Sequence, residues 1–129
     1  MEVKTHKEIN QEICGAAIAI QDEEFAVVKL KLTENMKVDE KGLVHGGFIF
    51  GGADYCAMLT VNHPNVVLAK AEVKFIKPAK VGEEIIFKSK VIEKNANKYL
   101  IKVDGFNRED TVVFTGNFYC VITEKHVLE

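Results

Sequence analysis

The sequence is short of cysteine and proline, has no basic excess and no apolar run of membrane length, and each shortage removes a class of protein. Its three cysteines, Cys14, Cys56 and Cys120, are odd in number and scattered, with no C-x-x-C pair. That argues against a disulfide framework or a zinc site and leaves reduced thiols as the expectation. The four histidines, His6, His45, His63 and His126, show no H-E-x-x-H spacing, so neither a metal nor another cofactor is expected. Lysine and arginine number 17 against 19 acids, a formal charge of -2, whereas a phosphate backbone selects basic excess. Nucleic acid is therefore not an expected partner. The apolar stretch from Ile13 to Ile20 falls far short of the ~20 residues that span a bilayer, and no basic leader precedes it. The protein reads as cytoplasmic, without a membrane partner. The two prolines, Pro64 and Pro78, mark changes of pattern and not a linker, and no repeat or low-complexity tract interrupts the chain.

What is present is an ordinary globular balance, 47% hydrophobic and 28% charged, over 129 residues. One domain covering residues 1–129 is expected, opening with a short leading segment, 1–12, where Ile9 and Ile13 have helical spacing. Two strand-like runs, Ala16 to Ile20 and Phe25 to Leu32, flank the acidic turn Gln21 to Glu24 and predict a hairpin. Period-two alternation follows Pro64: Val67, Ala69, Ala71, Val73 and Phe75 point one way, and Lys70, Glu72 and Lys74 the other. Further strands are read over Glu84 to Ile92, Lys98 to Val103 and Thr111 to Ile122, separated by turn-forming residues. Four consecutive strands predict an antiparallel meander.

Between the strand blocks, Gly46 to Asn62 carries almost no charge and ends at His63-Pro64. It reads as a helix that is apolar nearly all round, so it must be enclosed, by the sheet and by a partner subunit. One carboxylate, Asp54, stands in it. Its neighbours at helical spacing are Phe50, Gly51, Ala57 and Met58, none able to pair its charge. Either something outside the helix pairs with Asp54, or it is a desolvated base or nucleophile with a raised pKa. Upstream, Gly46 and Gly47 follow His45 at the predicted helix start, where unpaired amides and the helix dipole favour an oxyanion. The other meaning of such glycines is tight packing, which is the reading given to Gly51 and Gly52. No G-x-G-x-x-G fingerprint occurs.

The run His45-Gly46-Gly47-Phe48-Ile49-Phe50-Gly51-Gly52-Ala53-Asp54 resembles the H-G-G-x-x-F-x-x-A-D signature of hotdog-fold acyl-CoA thioesterases of the phenylacetate-degradation and 4-hydroxybenzoyl-CoA type. Ala71 to Glu83, with Pro78, Ala79 and Gly82, resembles the strand-turn-strand of the same family. The resemblance implies an α+β hotdog fold, an antiparallel five- or six-stranded sheet wrapped around one long apolar helix. It implies hydrolysis of an acyl-CoA thioester, with Asp54 as base or nucleophile, the Gly46 amide as oxyanion donor and His45 beside it. Gly47, Phe48, Asp39 and Leu68 would lie on the substrate side.

Two positions depart from that pattern. Asp39 stands where many relatives have asparagine, and Leu68 where some have a hydroxyl residue that holds water. Some hotdog domains bind acyl-CoA without cleaving it, as in the ligand-sensing domains of fatty-acid repressors. A non-hydrolytic acyl-CoA binder is therefore the alternative, and a dehydratase-like enzyme the third reading. With no added DNA-binding segment in this sequence, a repressor is not expected. Phe48, Phe50, Tyr55 and Met58 line either an acyl tunnel or plain core, and Lys77, Lys80, Lys94 and Lys98 are candidates for the CoA phosphates or solvated turn residues. The resemblance further implies a homodimer, or a dimer of dimers, with active sites shared between subunits.

Overall fold

A computed structural model describes Met1–Glu129. The alternating segments form β1 (Ala16–Gln21), β2 (Phe25–Lys31), β3 (Val66–Phe75), β4 (Glu84–Asn95), β5 (Lys98–Phe106) and β6 (Val112–Ile122). All neighbours pair antiparallel, giving one six-stranded sheet in the order β1-β2-β4-β5-β6-β3. Against its inner face lies α2 (Gly46–Val61), the predicted apolar helix. Ala26, Val28, Ile85, Phe87, Ile101, Val103, Phe114 and Phe118 alternate inward to meet it, and the sheet with its enclosed helix is the hotdog fold.

The helix stops where the sequence says it should. Asn62 takes the left-handed conformation (φ 52°), which asparagine tolerates at a helix C-terminus, and Pro64 prevents resumption. Its side chain also ties down the start of the chain: Oδ1 accepts from the Lys4 amide at 2.9 Å, while Nδ2 donates to the Glu2 carbonyl at 2.8 Å. Val3 and Ile9 pack on the core, so the leading segment covers part of the helix that the sheet leaves open. That segment is not helical over 1–12. Only α1 (Gln11–Cys14) forms, with the Asn10 side chain as N-cap.

The four-strand meander is corrected. β4, β5 and β6 are consecutive neighbours, but β3 lies beyond β6 at the edge and does not touch β4. The connection after Phe75 is a crossing and not a hairpin. Ile76 and Lys77 donate to the Val113 carbonyl at 2.8 and 3.2 Å, Val44 donates to Ala79 at 2.9 Å, and Leu32 donates to Glu83 at 2.9 Å. These bonds carry the chain from the β3 edge across the end of the sheet to β4, which pairs with β2. The alternation read along β3 is also broken. A bulge between Leu68 and Lys70 resets the register at Ala69, so Leu68 packs on the core together with Ala71 and Val73. Val67 and Ala69 do not share that face.

Candidate functional site

α2 is buried on nearly every side from Gly52 to Val61, yet Asp54 remains half-buried among these residues. Its Oδ1 is shielded from solvent and receives no hydrogen bond from the chain. A carboxylate in such surroundings holds its proton more tightly, and burial alone pushes Asp54 up to about 6. No cation answers it. Two thiols feel its charge instead: burial raises Cys120 to about 12 and raises Cys14 above its usual value, and Asp54 adds to both shifts. Cys120 belongs to β6, opposite Leu68 of β3, so that pair forms the sheet floor near Asp54. Cys14 ends α1 and brings the leading segment to the same carboxylate. Neither thiol stands out as a site residue in the sequence, although the alternation that turns Phe118 inward also turns Cys120 inward.

The other half of the candidate site is at the start of α2. His45 is the N-cap, in extended conformation (φ -63°, ψ 129°), and its side chain caps no amide. Its own amide donates to the Met36 carbonyl at 2.9 Å, while the ring meets Phe48 edge-on at 6.1 Å. The ring also folds over Gly47, where an added Cβ would come within 2.9 Å of Nε2. The amides of Gly46 and Gly47 donate to no acceptor in the chain, so the helix begins with unspent donors. Gly46 borders a cavity of about 310 Å³ that Val44, Ile49, Phe75, Pro78, Ala79 and Lys77 also line.

Asp54 and Gly46 are on one helix but not at one point. Eight residues separate them, about 12 Å along the axis at 1.5 Å per residue.

The remaining candidates are dispersed. The Asp39 carboxylate accepts from the amides of Lys41 and Leu43 at 3.0 and 3.2 Å, shaping the turn that leads to His45. Phe48 is half-buried against the core, and Phe50 packs on Phe118 with ring centroids 5.6 Å apart. Tyr55 and Met58 are core residues. Among the lysines, Lys77 lines the Gly46 cavity, whereas Lys94 is bound to Glu23 at 2.7 Å, whose amide donates to Thr60 near the far end of α2. The paired glycines also part company. A Cβ on Gly52 would lie 2.5 Å from the Phe87 ring, the close helix-to-sheet approach read from sequence, but nothing lies within 4 Å of one on Gly51.

A long apolar helix enclosed by one antiparallel sheet defines the hotdog class of fold, and family comparison agrees. The thioesterase superfamily profile matches residues 41–114, more than half of the chain, and this protein belongs to that superfamily. An uncharacterized protein from Pyrococcus horikoshii, PH1136, is 51% identical and superposes with a TM-score of 0.96 over 100% of this chain and 98% of its own. The E. coli PaaI protein of the phenylacetic acid degradation operon shares the fold at 18% identity and TM-score 0.79, over 88% of this chain and 83% of its own. A Streptococcus mutans protein bound to acetyl CoA shares it at 17% identity and TM-score 0.80, over 93% of this chain and 97% of its own.

Two curated relatives are longer proteins. Methylthioribose-1-phosphate isomerase of Aquifex aeolicus is 54% identical over 94% of this chain, but the match covers 26% of that protein, most of which lies outside it. Transcription factor FapR of Caldanaerobacter subterraneus is 26% identical over 94% of this chain and 60% of its own length. No helix of this chain is long and apolar enough to cross a membrane.

Proposed function

We propose that this protein is an acyl-CoA thioesterase that works at sites shared between two subunits. The observation that carries the reading is the unpartnered Asp54 on an otherwise apolar helix whose first amides are open. Asp54 of one subunit takes a proton from water, and the water oxygen attacks the thioester carbonyl carbon. The carbonyl oxygen, now anionic, accepts a hydrogen bond from the Gly46 amide, at the positive end of the helix dipole. The C–S bond then breaks, and CoA leaves as the thiolate and recovers the proton. The alternative role for Asp54 is direct attack as a nucleophile. His45, Gly47 and Phe48 bound the oxyanion side, and Leu68 lies beside Cys120 on the Asp54 side. Acetyl CoA on a protein of this fold supports the ligand class. Three unpaired thiols support a cytoplasmic setting.

The test is a hydrolysis screen across short, long and aryl acyl-CoAs with free thiol detected, run beside Asp54→Ala. Release of CoA by the wild type and its loss in the variant are expected. A second reading, a non-hydrolytic acyl-CoA binder, is favoured by Leu68, whose side chain cannot hold a water, and by the likeness to FapR. Binding of acyl-CoA without cleavage of any thioester would decide for it.

A further inference from the structure

The Gly46 cavity has one wall that lies outside the helix signature. Phe75 ends β3, and its ring stands against the helix start: a Cβ added to Gly46 would lie 3.2 Å from Cε1 and 3.6 Å from two more ring carbons. The ring is fixed on one side by Phe114, which it meets edge-on at 5.3 Å. Phe114 is itself locked by Phe87 and Phe118, at 6.2 and 6.4 Å. Phe75 nevertheless stays 52% exposed, with Phe114 its one ring neighbour. It is a backed aromatic wall of the cavity that Gly46 also borders. Around it the lining is almost wholly apolar, with Lys77 the one charged member.

We propose that Phe75 is the specificity-determining residue of this site, the wall that limits the bulk of the acyl group next to the thioester carbonyl. The proposal rests on the reading of Gly46 as oxyanion donor. A carbonyl oxygen held about 3 Å from that amide puts the carbonyl carbon and the first acyl carbons within a few ångströms of the ring. A straight acyl chain can run along an aromatic face. Branching or a ring at the carbon next to the carbonyl would collide with it. Because Phe114 backs the ring, the wall cannot retreat without disturbing the buried core.

The chain has no tryptophan, so Phe75→Trp places a unique fluorophore in the wall. Saturable change of its emission on titration with acetyl-CoA or a longer acyl-CoA is expected, with a smaller change for CoA alone. Phe75→Ala, checked for folding by circular dichroism, should raise the affinity, and where turnover occurs kcat/KM, for acyl-CoAs branched at the first acyl carbon by about tenfold relative to the straight-chain isomer. Phe75→Tyr, which keeps the ring, should retain the wild-type ratio. Straight-to-branched ratios that are equal in wild type and Phe75→Ala overturn the proposal, as does indole emission of the Phe75→Trp variant that stays unmoved while calorimetry shows binding. If acyl-CoA is bound with Phe75-dependent selectivity but never cleaved, the hydrolytic reading fails and the wall stands. If the wild type binds no acyl-CoA, both fall.

Discussion

Placing a carboxylate where nothing pairs it costs stability, and for Asp54 the sign of that cost is testable. Burial raises its pKa from 3.8 in the unfolded reference to about 6 in the folded chain, so the folded state holds the proton more tightly. Stability should then decline as pH rises from about 4 to about 6, and remain lower above that window. Asp54→Asn removes the titration. The variant should be more stable than the wild type at pH 8, by up to about 3 kcal/mol for a shift of this size, with the gap closing toward pH 4. Thermal unfolding across that range measures it. The same substitution should lower kcat by roughly 10² to 10⁴ fold while acyl-CoA binding survives, the scale of losing a general base. A protein more stable and less active at pH 8 is the signature of an acid kept for chemistry. Hydrolysis by the wild type should fall as pH drops through about 6, where Asp54 takes up its proton.

The start of α2 offers a way to remove one amide, with an alanine control for the added Cβ. Proline is well tolerated at the first position of a helix, and His45 already has the extended conformation (ψ 129°) that a residue before proline prefers. Gly46→Pro should therefore keep the helix; its Cβ crowds the Phe75 ring as that of Gly46→Ala does, but it also deletes the proposed oxyanion donor and should lose more activity. If Gly46→Pro is folded and as active as the wild type, the carbonyl is held elsewhere. One turn later the two glycines should answer oppositely to alanine. Gly52→Ala drives a methyl group into Phe87 and should cost about 1–3 kcal/mol, whereas Gly51→Ala meets open space and should gain up to about 1 kcal/mol of helix propensity in a single subunit. Urea titrations of both variants would show it. A Gly51→Ala protein that loses stability only at high protein concentration would place a second helix against that face.

At the scale of the molecule, the sheet has two edges of unequal character. β1 is six residues long, and β3, at the other end, is ten. The longer edge offers its backbone to a second copy, and pairing there would shield it from random association. If Gly46 and Asp54 act on one carbonyl as proposed, the roughly 12 Å between them along the helix axis favours a site that takes one from each chain. A homodimer at least is therefore expected in solution, with an inactive monomer. Mixing Asp54→Ala with Gly46→Pro after subunit exchange should restore activity, because each heterodimer contains one site with an intact Gly46 and an intact Asp54. Up to about half of its sites would recover by this symmetry. No recovery after demonstrated exchange would show that each site is built from one chain.

Local chemistry determined the elements. The helix, read over Gly46 to Asn62 and found over Gly46–Val61, its end before His63-Pro64, the hairpin of β1 and β2 and the isolation of Asp54 were all legible, because periodicity, helix breakers and the absence of a partner at helical spacing are properties of near neighbours in the chain. Strand order was not legible. That β3 crosses to pair with β6 depends on backbone bonds between Ile76, Lys77 and Val113 and between Val44 and Ala79, residues that sequence distance keeps apart. The bulge at Ala69, which moves Leu68 to the core face, likewise leaves no mark in a run of alternating residues. Tertiary structure alone brought Cys14 and Cys120 to Asp54 and laid the Phe75 ring against Gly46. A sequence displays what each residue is and what stands one turn away. Which distant side chains share a cavity is decided by how a twisted sheet closes on its helix, where each contact depends on all the others.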